Sequence, residues 1–263
     1  MRVATLASSS KGNSTLLWTD NTKILIDLGI TCSEVELKLK ALNIDPKQID
    51  AILNTHVHSD HTKGIATFAR KYGTKIYCHI DGAQALATKL EKVKQEQLFS
   101  YSDKPFSVGD FEITSFKLPH DVDCCVGYTV ACGDTKVSYA TDLGHMSDET
   151  LLHLFGSKLV ILESNHDRAM LIANPHYSPI LKTRILSSHG HLSNDDCAVA
   201  VAKLALAGTK QVVLAHLSEE NNTPETAYEC VTNYLNSRGI SEGVNIKIDV
   251  APAHKIGTIF NLK

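Results

Sequence analysis

Residues 55–61 read Thr-His-Val-His-Ser-Asp-His, and no other run constrains the chain as much. Four candidate metal ligands, His56, His58, Asp60 and His61, fall within six positions directly after the short apolar strand segment 51–54. Side chains two apart on an extended segment point to the same side, which aims His56 and His58 at one ion. A tight turn after them aims Asp60 and His61 at a second. Divalent transition metals bind histidine and carboxylate groups at this density, whereas a polar surface loop has few uses for them. Together with ligands elsewhere in the chain, these groups exceed what one ion uses, so the spacing predicts two ions a few ångströms apart. Such a pair points to hydrolysis.

The rest of the composition is that of an ordinary folded protein: 43% hydrophobic and 21% charged residues, without low-complexity runs, exclude wholesale disorder. One domain spanning 1–263 is the simplest organisation for this length. A net charge of −3 supplies no global basic field, which argues against tight non-specific nucleic-acid binding over the whole surface and leaves a local groove open. No window approaches the roughly 18 apolar residues of a membrane span. The apolar opening is too short for a signal peptide and reads as a first strand. A cytoplasmic protein without a membrane partner is expected; its oligomeric state is not set by the sequence. The seven cysteines form no C-x-x-C motif and read as reduced, mostly buried thiols. Of the adjacent Cys124 and Cys125, one is expected to face the core and one the solvent, on a strand.

Turn and periodicity signals place strands at 3–7, 14–18 and 23–26, separated by the Ser/Gly segment 8–13 and the turn Asp20-Asn21. Ser33-x-x-Glu36 reads as a capping box opening a helix to about Leu42. After the metal loop come a helix at 63–72, a strand at 75–78 and a helix at 81–90, with the charged run 89–94 as a solvated helix face. Strands at 111–118, 126–132 and 136–140 follow, then a strand at 159–162, an Ala-rich helix at 193–207, a strand at 212–215 ending at His216, and a helix at 224–236. Strands at 245–250 and 257–260 close the chain. His120 and Asp142 fall just beyond strand ends. The order predicts an α/β fold of two packed sheets with helices outside, an αβ/βα sandwich whose ligand sites lie past the strand termini.

The segment Ile-Leu-Ile-Asp-Leu-Gly at 24–29, the 55–61 run, and the isolated His120, Asp142 and His216 together resemble the metallo-β-lactamase superfamily in its five-motif form, over nearly the whole chain. Within it, Ala-Ser-Ser-Ser-Lys-Gly-Asn at 7–13, Glu-Ser-Asn-His-Asp at 163–167, Gly-His-Leu-Ser-Asn-Asp at 190–195 and Leu-Ala-His-Leu-Ser at 214–218 are similar to the WalJ/YycJ group of bacterial metallohydrolases. The resemblance implies the four-layer αβ/βα sandwich of that superfamily. It implies that His56, His58 and His120 bind one divalent ion, that Asp60, His61 and His216 bind the other, and that Asp142 bridges both. Asp27 would orient the histidine loop from behind. The resemblance also implies a 5′-to-3′ exonuclease on double-stranded DNA, with a part in mismatch repair or genome maintenance.

The ligand set carries its own chemistry. Two ions sharing a water lower its pKa from about 15.7 toward neutrality, and Asp60 is placed to orient the resulting hydroxide. The same ions offset the charge of a phosphodiester, so phosphodiester cleavage is the expected reaction, with zinc, manganese or iron all compatible. The leaving oxygen needs a proton. His191 is the first candidate, since a similar His-Ser/Thr segment precedes a helix in phosphodiesterase branches of the superfamily; His189 and His166 rank behind it. Ser193 or Asn194 caps the helix that follows, and exposed amides there can bind phosphate. Lys11, Lys182 and Arg184 are candidates for flanking phosphates, and His166, His189 and Asn194 for other substrate contacts. One Trp and seven Phe offer little for base stacking, which favours a nuclease only weakly. Two other readings stand: a small-molecule metallohydrolase of cyclic phosphodiesterase, lactonase or thioesterase type, and a regulatory protein holding metal for stability. Asp60 and Asp142 speak against the last, because a structural site needs no open dinuclear centre.

Overall fold

The early strands are buried along almost their whole length, so they have to lie between layers. In the computed structural model, which describes residues 1–262, β1 (Arg2–Ser9), β2 (Gly12–Trp18), β3 (Lys23–Ile26), β4 (Ala51–Leu53), β5 (Lys75–His79) and β6 (Leu98–Tyr101) form one sheet. A second sheet holds β7 (Phe106–Val108), β8 (Phe111–Lys117), β9 (Val126–Cys132), β10 (Thr135–Ala140), β11 (Leu159–Glu163), β12 (Gln211–Ala215) and β13 (Lys247–Val250). β14 (Phe260–Asn261) returns to the first sheet and pairs antiparallel with β1. Each sheet begins antiparallel and turns parallel, from β3 to β6 in the first and from β10 to β13 in the second. Parallel neighbours need long crossovers. The first half supplies α1 (Cys32–Ala41), α2 (Ser59–Thr62), α3 (Ile65–Tyr72) and α4 (Ile80–Lys89). The second supplies α5 (Asp148–Leu154), α6 (Arg168–Ala173), α7 (Pro179–Ile185), α8 (Asn194–Leu206) and α9 (Pro224–Ser237).

Strand alternation sorts the apolar residues into three layers. Ile24 and Ile26 of β3 join Tyr128, Tyr139 and Ile161 in the core between the sheets. Leu25, between the two isoleucines, turns outward to Val35, Leu39 and Phe68 under α1 and α3. In the second sheet Val160 and Leu162 turn outward to Val201, Leu204 and Val231 under α8 and α9. The result is the expected αβ/βα sandwich, and its parallel strands end along one edge.

Several local expectations shift. The capping box of α1 is Thr31 with Glu34, because Glu36 is engaged by Cys32 Sγ and Lys71 Nζ. The metal loop winds a helical turn of its own, α2, before α3 starts at Ile65. α4 stops at Lys89, so the charged run 89–94 forms a turn, not a helix face. Cys124 and Cys125 both lie buried in the loop before β9. Within 257–260 only Phe260 is in a strand. β6, β7 and the short helices α5, α6 and α7 carry too little apolar periodicity to be read from sequence; α5, α6 and α7 are set by the caps Ser147, Asp167 and Ser178.

Candidate metal centre

The strand ends along the shared edge deliver one cluster. Asp27 follows β3, residues 54–61 follow β4, His120 lies past β8, Asp142 past β10, Glu163 ends β11 and His216 follows β12. Three of these residues turn the chain sharply: Asp27, Asp142 and His216 have φ of 57°, 66° and 56°. Non-glycine residues pay about 1–3 kcal/mol for such conformations, and among the described residues only Asn43 and Lys92 share them. The turns are held by hydrogen bonds: Asp27 N–H donates to Leu53 O at 2.9 Å and His216 N–H to Ser8 Oγ at 2.8 Å. Close packing fixes the loop further. A Cβ on Gly29 would stand 1.5 Å from Asp60 O, so only glycine lets segment 27–29 lie against the metal loop.

Among the described residues four overlapping groups of donors emerge, and two of them are the expected sets. His56, His58 and His120 bring one nitrogen each within 4.8 Å of one another, and Asp60, His61 and His216 do the same with their donor atoms. Asp142 lies between them, with Oδ2 3.2 Å from His61 Nε2 and Oδ1 3.8 Å from His120 Nε2 and 3.6 Å from His216 Nε2. The arrangement fits divalent metal ions: His56 Nε2 is buried without a hydrogen-bond partner, a cost that a bound cation relieves.

The outer nitrogens are held from behind, which leaves the inner ones free to ligate. Asp27 is completely buried and its carboxylate accepts from His61 Nδ1 at 2.7 Å, Thr55 N at 2.9 Å, Thr55 Oγ1 at 2.8 Å and Asn54 Nδ2 at 3.2 Å. His120 Nδ1 donates to Gly190 O at 3.1 Å. Glu163, equally buried, does more. Its Oε1 accepts from His216 Nδ1 at 2.7 Å and His191 Nδ1 at 2.9 Å, and its Oε2 from the Leu143 and Leu192 amides at 3.0 Å. Sequence reasoning gave Glu163 no role. Its signals are a carboxylate closing an apolar strand beside strands that end in Asp142 and His216, and its place at the head of the Glu-Ser-Asn-His-Asp segment.

Charge in the cluster is strongly coupled. Burial works against ionising Asp142 and Asp60, yet the facing histidines hold both carboxyls well below the usual range. Burial also works against protonating His216, but Asp142, Asp60 and Glu163 push it up to about 10. His191 is likewise raised against burial by Glu163 and Asp142, and Glu163 is lowered to about 2 despite burial by His191 and His216. His56, with little to oppose burial, falls well below the ordinary histidine value.

A cleft of about 190 Å³ opens over Asp60, Asp142, His191 and His216. Of the residues proposed only for substrate contact, Arg184 alone lines it, paired with Asp121. Lys11 is exposed and paired with Glu219 at 2.6 Å, and Lys182 Nζ donates to Ile172 O at 2.6 Å. His189 is exposed, its Nδ1 3.1 Å from Ser188 Oγ. His166 is buried beneath the site, with burial lowering it to about 4. Asn194 is also buried, bonded to Ser164 Oγ at 2.7 Å and to the Asn222 amide at 2.9 and 3.0 Å, which leaves it no freedom to reach a substrate.

Comparison with known proteins agrees with this geometry. Residues 22–217 match the family described as beta-lactamase superfamily domain. The chain is 36% identical over 251 residues to exodeoxyribonuclease WalJ of Streptococcus pneumoniae, covering 94% of this chain and 93% of that one. It is 34% identical over 249 residues to exodeoxyribonuclease YycJ of Bacillus anthracis, covering 94% of each. The fold matches zinc-bound PqqB of Methylobacterium extorquens with a TM-score of 0.75 at 14% identity, over the full length of both chains. The chain therefore belongs to the metallo-β-lactamase superfamily and, within it, to the WalJ/YycJ-like proteins.

Proposed function

We propose that the chain is a metal-dependent exodeoxyribonuclease that removes nucleotides in the 5′-to-3′ direction from double-stranded DNA. The relatives named exodeoxyribonuclease span nearly the whole chain, which supports the DNA substrate. The observation that carries the chemistry is the His191–Glu163 pair, hydrogen-bonded at 2.9 Å, in which His191 opens onto the same cleft as Asp60, Asp142 and His216.

In this reading His56, His58 and His120 would hold one ion and Asp60, His61 and His216 a second, with Asp142 available to either; zinc and manganese would suit the set, and iron is compatible. When bound, the ions acidify water and offset phosphoryl charge. Asp60 orients the attacking water. Glu163 accepts the hydrogen bond from His191 Nδ1–H, which turns Nε2 toward the cleft to donate to the leaving oxygen, and the carboxylate raises the affinity of His191 for its proton. Arg184, on the cleft wall, is placed for a phosphate oxygen. We place the protein in the cytoplasm, where seven unpaired cysteines stay reduced.

The test sets linear and covalently closed DNA beside a lactone, a thioester and a cyclic nucleotide, each with manganese or zinc and with a chelator. Metal-dependent loss of linear DNA alone supports the reading. Turnover of a small molecule with DNA untouched replaces it with the small-molecule hydrolase.

A further inference from the structure

One wall of the cleft comes from α7 and the residues just before it. Leu181, Arg184 and Ile185 line it from α7, at a spacing that puts all three on one helical face, and Tyr177, just before the N-cap Ser178, lines the same cleft. Among the described residues the Tyr177 side chain has no hydrogen-bond partner and no ring contact. Its backbone is nevertheless anchored on both sides. Upstream, Asn174 donates to Asn221 Oδ1 at 2.7 Å and accepts from His176 N at 2.8 Å; downstream, Ser178 Oγ caps α7 by accepting from Leu181 N at 3.2 Å. Pro179 stiffens the first turn. A half-buried aromatic ring that lines the cleft, on an anchored backbone and with no hydrogen bond or stacked ring of its own, is available to a flat ligand.

Resting on the nuclease reading, we propose that Tyr177 is a specificity-determining residue that stacks the base of the terminal nucleotide, with Leu181 and Ile185 completing an apolar wall and Arg184 next to the phosphate. Stacking is tolerant of sequence because every base has a π-face. A terminal base that is still paired lies within the duplex stack and cannot also lie on Tyr177. The end must therefore open by at least one base pair before cleavage, and a frayed, mismatched or overhanging end enters more readily than a closed one.

Two measurements on the metal-loaded protein test this. The first is steady-state cleavage of duplexes that differ only in a paired, mismatched or abasic terminal nucleotide, by wild type, Tyr177→Ala and Tyr177→Phe. Wild type should prefer the mismatched end and be slowed on the abasic one. Tyr177→Ala should raise KM roughly tenfold or more and lose both distinctions, and Tyr177→Phe should restore them. The second is the fluorescence of a strand ending in 2-aminopurine and joined through a phosphorothioate. It should be quenched on binding wild type and Tyr177→Phe and not on binding Tyr177→Ala. Equal behaviour of Tyr177→Ala and wild type on all three ends, in a protein that does degrade DNA, overturns the stacking role alone. A wild type that cleaves none of the duplexes overturns the nuclease reading as well.

Discussion

Replacing Asp27 with Asn separates the buried carboxylate from its shape. Asn tolerates the left-handed backbone at this position, φ 57°, so the substitution adds no backbone strain. One amide oxygen can keep the bonds from Thr55 N and Asn54 Nδ2, but the amide nitrogen then meets His61 Nδ1 across the 2.7 Å now spanned by a charge-assisted bond. Two donors cannot face each other there. His61 relieves the clash by moving its proton to Nε2, the atom that lies 3.2 Å from Asp142 and 3.3 Å from Asp60. That nitrogen is then no longer a ligand. Changes of this kind behind a ligand cost about 10- to 100-fold in metal affinity. The lost bond should also cost about 2 kcal/mol of stability, roughly 4–8 °C in Tm for a chain of this size. Chelator competition with zinc gives the affinity and thermal unfolding of the metal-free protein gives the stability. A variant that binds zinc as tightly as wild type refutes the assigned role of the Asp27–His61 bond.

Three further outcomes are expected. His191→Ala should lower kcat by about 10²–10⁴ while metal content, read by elemental analysis, stays the same; a loss of metal would make His191 a ligand instead. Glu163→Gln removes the carboxylate that raises His191, so the acid form is lost at a lower pH and the alkaline limb of the kcat profile should move down; an unmoved limb contradicts the pairing. Gly29→Ala forces a Cβ against Asp60 O, and thermal denaturation should show a loss of about 3 kcal/mol or more together with weaker metal retention.

The parts of this molecule that were legible in the sequence are those where a short run carries the whole signal. The 55–61 segment announces metal by ligand density alone, and the apolar run at 23–26 reads as the strand that the structure shows as β3. His120, Asp142 and His216 are single residues after strands, and their partnership with the loop depended on order along the chain. Glu163 was missed because its function lies in what surrounds it: four donors from Leu143, His191, Leu192 and His216 converge on one side chain only after folding. Asn194 illustrates the reverse. A polar residue at a helix start beside the site looks available, yet Ser164 and Asn222 already occupy it. The capping box at Thr31 and Glu34 was displaced in the reading by an equally good pattern at Ser33 and Glu36, and only the contacts of Glu36 with Cys32 and Lys71 decide between them.

The central claim is that this ligand cluster removes nucleotides from DNA ends, and label release from a linear duplex tests it most directly. Duplexes labelled at the 5′ or the 3′ end are incubated with manganese and wild type, with Asp60→Asn, and with wild type plus chelator. Wild type alone should release the 5′ label early, as mononucleotide. Intact DNA in every lane from a protein shown to hold metal, or equal release by Asp60→Asn, would contradict it.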